Sequence, residues 1–141
     1  EESGGIGYGT HIPERDALLS ALYAIEAVVV ADQDLGTLYQ ELQAKVGFHS
    51  AYNRVDLPLA NEEAKQRVQN ILATQPPAAI AQRAVKSCQT IDGYKFRLED
   101  NSWLLVRFSG TEPLLRLYCE AQDEPTVRTI LNWAQQWASQ L

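Results

Sequence analysis

Two apolar rows run side by side along residues 14–31. Leu18, Leu22, Ile25 and Val29 recur at helical spacing, and Leu19, Tyr23, Ala27 and Val30 lie beside them. The period predicts a helix from Glu14, just after Pro13, to about Ala31. A helix apolar almost all round is one that a complete fold buries on most sides. Little else in residues 1–47 is suited to cover it, so this part reads as the tail of a larger α/β domain. A second helix, about Leu35 to Lys45, carries Leu35, Leu38, Tyr39, Leu42 and Val46 on one stripe, with Asp34 as N-cap and Gly47 as its stop.

From Phe48 the period changes. Phe48 to Leu57 reads as a strand ending at Pro58, and Asn61 caps a helix whose stripe is Ala64, Val68, Ile71 and Leu72 and which ends at Gln75-Pro76-Pro77. Arg83 to Ile91 and Tyr94 to Leu98 are strands joined at Asp92-Gly93, a strong hairpin signal. Asp100-Asn101 turns the chain into the strand Trp103 to Phe108, and a return strand follows from Leu114. Asp123 caps a last helix with Val127, Ile130, Leu131, Ala134, Ala138 and Leu141 inward, and Trp133 and Trp137 flank that stripe as core edge or interface. The expected fold class for residues 48–141 is α+β, an antiparallel sheet with helices on one face and the other face free to wall a cleft.

The chemistry concentrates between Arg107 and Glu120. Alternation puts Leu104, Val106 and Phe108 on one face, and Leu115, Leu117 and Cys119 on one face of the return strand. Arg107 and Arg116 then both point away from the core. Between them, Ser109-Gly110-Thr111-Glu112-Pro113 supplies two hydroxyls, a glycine free to take positive φ and a proline, a turn whose N–H groups suit an anion nest. Two forked guanidiniums beside such a turn suit a phosphate. By spacing alone the stretch is equally a polar hairpin turn with solvated arginines.

Charge and composition narrow the partners. The net charge of −6 comes from residues 1–47, where eight acids face Arg15 and Lys45, while the rest carries ten charges of each sign. An acidic chain without basic runs gains little from a nucleic-acid backbone, so nucleic acid is not an expected partner. Cys88 and Cys119 fall in strand-like stretches, make no metal-ligand spacing with His11 or His49, and read as buried free thiols. The longest apolar run, Ala17 to Ala31, is interrupted by Ser20 and Glu26 and falls short of the roughly 20 residues of a membrane span. No membrane partner is expected, and no signal peptide opens the chain, so a cytoplasmic protein is the expectation.

The first ten residues alternate Gly5, Gly7 and Gly9 without the G-x-G-x-x-G spacing or a preceding strand, which disfavours a nucleotide loop. Glu1-Glu2-Ser3-Gly4-Gly5 resembles the Gly-Glu-x-Ser-Gly sugar-binding loop in the third domain of the α-D-phosphohexomutases, the phosphoglucomutase and phosphomannomutase enzymes. Arg107-x-Ser109-Gly110-Thr111-Glu112-Pro113-x-x-Arg116 resembles the phosphate-binding loop of their last domain. Two motifs in the family's order, about a hundred residues apart, make the resemblance cover the whole chain.

The resemblance implies a division into residues 1–47, the end of the third α/β domain, and 48–141, the fourth domain, whose fold is of the TATA-binding-protein-like kind. It implies that Glu1 and Ser3 contact sugar hydroxyls and that Arg107, Ser109, Gly110, Thr111 and Arg116 bind phosphate. The family interconverts sugar 1-phosphates and 6-phosphates through a bisphosphate, with a phosphoserine in the first domain and Mg²⁺ in the second. Neither the phosphoserine nor the metal motif occurs here, so no catalytic or metal-binding residue is expected in this chain, which should be inactive alone. Its expected partners are a hexose phosphate and the missing mutase domains, with self-association through the helix of residues 14–31. Glu2 leans towards a hexose over a glucosamine substrate; glucose and mannose are not distinguished. A freestanding phosphate-binding module and a protein-interaction domain are the readings from other classes.

Overall fold

Capping signals and strand alternation place most element ends within a residue or two. The computed structural model describes residues 5–47 and 49–141 of the chain. The chain divides into two units, Glu1–Phe48 and His49–Leu141.

In the first unit, helices α1 (Ala17–Ala31) and α2 (Leu35–Val46) pack together. The first helix begins three residues later than its apolar period suggests. Asp16 adopts an extended backbone and its carboxylate accepts the Leu19 N–H at 2.9 Å, while Arg15 is held in an antiparallel bridge with Gly7. A cap that satisfies an orphan donor outweighs a continuous apolar pattern in setting the start. The same bond, followed by the hydrogen bond to His11, holds the Asp16 carboxyl below its ordinary range. The second helix has the expected ends, with Asp34 accepting the Thr37 N–H at 2.9 Å and Gly47 at φ 67°. No residue of α1 is buried; Leu18 is 81% and Val30 80% exposed.

The second unit is a six-stranded, wholly antiparallel sheet. Its strands are β1 (Ala51–Pro58), β2 (Ala79–Ile80), β3 (Arg83–Gln89), β4 (Tyr94–Leu98), β5 (Trp103–Phe108) and β6 (Leu114–Ala121), in the spatial order β1-β6-β5-β4-β3-β2. Helices α3 (Glu62–Thr74) and α4 (Glu124–Ser139) bury their stripes on one core. That core joins Val68 and Leu72 to Val127, Ile130, Leu131, Ala134 and Ala138 over Phe96, Leu98, Leu104, Val106, Leu115, Leu117 and Cys119. This is the expected α+β architecture with helices on one face. Trp133 and Trp137 stack at 6.0 Å and pack on the core's edge.

Two features depart from the alternation. The two-residue strand β2 is too short to leave a period in the sequence. Cys88 is exposed, not buried as read from the sequence; only Cys119 lies in the core. A bulge between Val85 and Ser87 shifts the register of β3, and β2 pairs only with Arg83 and Ala84, so the second half of β3 is an open edge. Desolvation pushes the Cys119 thiol up to about 12, so both position and protonation keep it inert.

Candidate phosphate site

The open face of the sheet is built by the residues that alternate away from the helices. Along β6 these are Arg116 and Glu120, both half-buried, and Tyr118, which is buried; on the helix side Leu115, Leu117, Cys119 and Ala121 are buried in the core. Register aligns them with their neighbours. Asp56 pairs with Arg116 and Arg116 with Arg107, so an acid and two guanidiniums lie in one row across β1, β6 and β5. Opposed residues of an antiparallel pair stand about 4.5–5.5 Å apart at Cβ, and like charges there repel.

Each arginine has a different environment. Arg107 Nε lies 3.0 Å from Asp92 Oδ2, at the β3–β4 turn. The Asp92 charge outweighs desolvation and, aided by a hydrogen bond with Tyr118, holds the Arg107 guanidinium more firmly protonated than usual. Arg116 Nε is buried and has no hydrogen-bond partner among the described residues. Glu120, further along β6, does not serve Arg116, because its carboxylate accepts from Ser50 Oγ at 2.6 Å and from Trp103 Nε1 at 3.1 Å. Asp56 is engaged by Arg54 at 2.6 Å; that hydrogen bond, then the charges of Arg54 and Arg116, hold its carboxyl below the ordinary range. Further along the face Arg54 lies over Tyr118 at 5.5 Å and Lys95 over Trp103 at 3.9 Å.

The loop between β5 and β6 is closed by Ser109 N–H donating to Leu114 O at 3.0 Å, and Pro113 O accepts the Leu59 N–H at 2.7 Å. Gly110 is not in the left-handed region, so the loop does not use the positive φ read from the sequence. Backbone bonds at both ends of the loop bridge the strands without it. A Cβ at Gly110 would meet nothing within 4 Å, which leaves open space above the loop. Ser109 is buried, and its Oγ lies 3.5 Å from the Thr111 N–H, at the limit of a hydrogen bond; Gly110 and Thr111 are exposed.

The structure therefore brings Arg107 and Arg116 together at the start and end of the loop that carries Ser109, Gly110 and Thr111. Glu1 and Ser3 lie outside the described residues. Sequence reasoning did not single out Asp92 as more than a hairpin residue, and no local signal ties it to Arg107. The arrangement supplies positive charge and donors but no nucleophile paired with a base. Among the described residues no three of His, Cys, Asp and Glu come together as metal ligands. No helix of the described residues is long and apolar enough to cross a membrane. A groove of about 670 Å³ between the Ala81–Arg83 turn and α4 is lined by a single cation, Arg83, which is paired with Asp100.

Known proteins are similar to this chain in sequence and in fold. Residues 57–132 match the phosphoglucomutase/phosphomannomutase C-terminal domain, and residues 1–46 match the alpha/beta/alpha domain III of the same enzymes. A phosphoglucosamine/phosphogalactosamine mutase of Sulfurisphaera tokodaii is 31% identical over 94% of this chain and 27% of its own length. A phosphoglucomutase/phosphomannomutase of Thermococcus kodakarensis is 27% identical over 94% of this chain and 26% of its own. A crystal structure of a "putative phosphomannomutase" from Thermus thermophilus superposes with a TM-score of 0.73 at 32% identity, covering 99% of this chain and 26% of that one. The chain thus spans about a quarter of the length of these relatives. With an antiparallel α+β sheet, an arginine pair beside the Ser109–Pro113 loop, and a family match across more than half its residues, the chain belongs to the phosphoglucomutase/phosphomannomutase family.

Proposed function

We propose that this chain is the substrate-binding C-terminal part of a phosphohexomutase, an isomerase that interconverts sugar 1-phosphate and 6-phosphate through a bisphosphate intermediate. In this reading residues 1–47 end the third domain and 48–141 form the fourth. The phosphate that is not being transferred sits over the Ser109–Thr111 loop, clamped by Arg107 and Arg116, while Glu1 and Ser3 take sugar hydroxyls. The nucleophilic phosphoserine and Mg²⁺ belong to other domains of the full-length enzyme, so this chain binds and orients but does not catalyse alone. The names of its relatives include amino-sugar and hexose enzymes, which makes the substrate class a hexose or hexosamine phosphate. Two free thiols accord with a cytoplasmic enzyme.

The observation that carries the reading is the Arg107–Arg116 pair across β5 and β6, with Arg116 Nε buried and unpartnered. A fixed pair of like charges is unfavourable without an anion and becomes favourable with one. Titrating the ¹⁵N-labelled chain with glucose 6-phosphate is expected to move the Gly110 and Thr111 amides, and Arg107→Ala to suppress the shifts. In the full-length enzyme Arg107→Ala is expected to raise KM more than about tenfold, as for loss of one charged hydrogen bond. No amide shift, or an unchanged KM, would remove the assignment.

The apolar faces of α1 suit cover by the rest of the third domain, and by a second copy when the chain is isolated. Sedimentation of the isolated chain is expected to show self-association. A monomer whose α1 amides are as protected from exchange as those of Val106 and Leu117 would contradict this.

A further inference from the structure

We propose that Asp92 is a positioning residue for the phosphate site: its carboxylate holds Arg107 at Nε so that the guanidinium stays beside Arg116 while no ligand is bound. The inference rests on the phosphate-site reading above and adds to it a residue outside the loop and both of its strands.

The row across the sheet reads Asp56, Arg116, Arg107, Asp92, acid–base–base–acid. The two central charges repel. On the β1 side Asp56 is already engaged by Arg54, and Arg116 Nε makes no hydrogen bond. Asp92 is therefore the carboxylate that directly contacts one of the two central arginines, at 3.0 Å. Its placement is imposed by the backbone. Gly93, the next residue, has φ 92° and lies so close to β5 that an added Cβ would stand 2.5 Å from Val106 O and 3.2 Å from Arg107 Cα. The hairpin tip is thus laid on the strand that carries Arg107, and the carboxylate arrives with it. Contact at Nε uses one of the five N–H donors of the guanidinium, and others remain for a ligand. Without that contact only the hydrogen bond with Tyr118 holds Arg107 against the repulsion of Arg116, and ligand binding must re-order more of its long side chain. The charge of Asp92 opposes an incoming anion only weakly, since its side chain is 71% exposed and screened by salt.

Inorganic phosphate is the probe, read on the ¹⁵N-labelled chain at the Gly110 and Thr111 amides and at the Arg107 Nε–H signal. Asp92→Ala is expected to raise the apparent Kd about fivefold, in line with loss of one exposed ion pair, and to shift the Arg107 Nε–H signal to a fast-exchanging position. Asp92→Glu, which restores the charge, is expected to bring both back, whereas a merely structural role for the turn would not respond to it. Should Asp92→Ala fail to fold, Asp92→Asn keeps the turn preference and is expected to show the same weakening. Phosphate bound equally well or better by either variant, with the Arg107 signal unmoved, would overturn the proposal. Absence of binding by the parent chain would overturn the phosphate site itself, and the role of Asp92 with it.

Discussion

Arg116→Ala is expected to weaken phosphate binding by about ten- to a hundredfold while leaving the fold as stable as before or slightly more so. A charge-assisted hydrogen bond contributes about 1.5–3 kcal/mol, which sets that range. The stability side follows from its surroundings. Arg116 Nε is buried without a partner, a state that costs free energy in the ligand-free protein. Removing it does not strand its acidic neighbour, because Asp56 keeps Arg54 at 2.6 Å. Arg116→Lys retains the charge but not the forked donors, and intermediate affinity is expected. Calorimetric titration with phosphate and a thermal melt, run on the same variants, separate the two effects. Wild-type affinity in Arg116→Ala would mean that the orphaned nitrogen is not aimed at a ligand.

Gly93→Ala carries the largest expected loss of stability. An alanine at φ 92° adopts a conformation that costs roughly 1–3 kcal/mol. Its Cβ would also stand 2.5 Å from Val106 O, a backbone atom of a central strand that cannot give way without disturbing β5. The sum is about 3 kcal/mol or more, a large share of the roughly 5–15 kcal/mol that holds a domain together. For a unit of this size the melting temperature is expected to fall by about 12–24 °C. Gly110→Ala is the internal control, since that position has an ordinary φ and room for a Cβ, and its melt is expected to match the parent. Equal melting temperatures for Gly93→Ala and Gly110→Ala would show that the hairpin relaxes at little cost.

The elements that were readable in the sequence are those whose causes are local. Asp34, Asn61 and Asp123 each cap the helix they precede by accepting the N–H three residues on. The stripe Val127, Ile130, Leu131, Ala134 and Ala138 is buried as its period requires. At α1 the apolar period, read from Glu14 just after Pro13, put the start three residues too early, because the structure caps the helix at Asp16. Cys88 was misread for a different reason: alternation names a face but not whether another strand or helix covers that stretch of it, and the bulge at Val85/Ser87 leaves it at an open edge.

For the candidate site the division is the same. The sequence by itself determined that Arg107 and Arg116 lie on the face away from the core, because a period of two forces it once Leu104, Val106, Leu115 and Leu117 are buried. It also determined that a hydroxyl-bearing loop joins their strands. Only the tertiary structure decided that the two arginines stand directly opposite one another, since register depends on backbone pairing between strands. Only the tertiary structure decided, too, that Glu120 goes to Ser50 and Trp103 while Asp92 goes to Arg107. Those partners lie 70, 17 and 15 positions apart in the chain, and side chains so far apart meet only where the sheet has already folded.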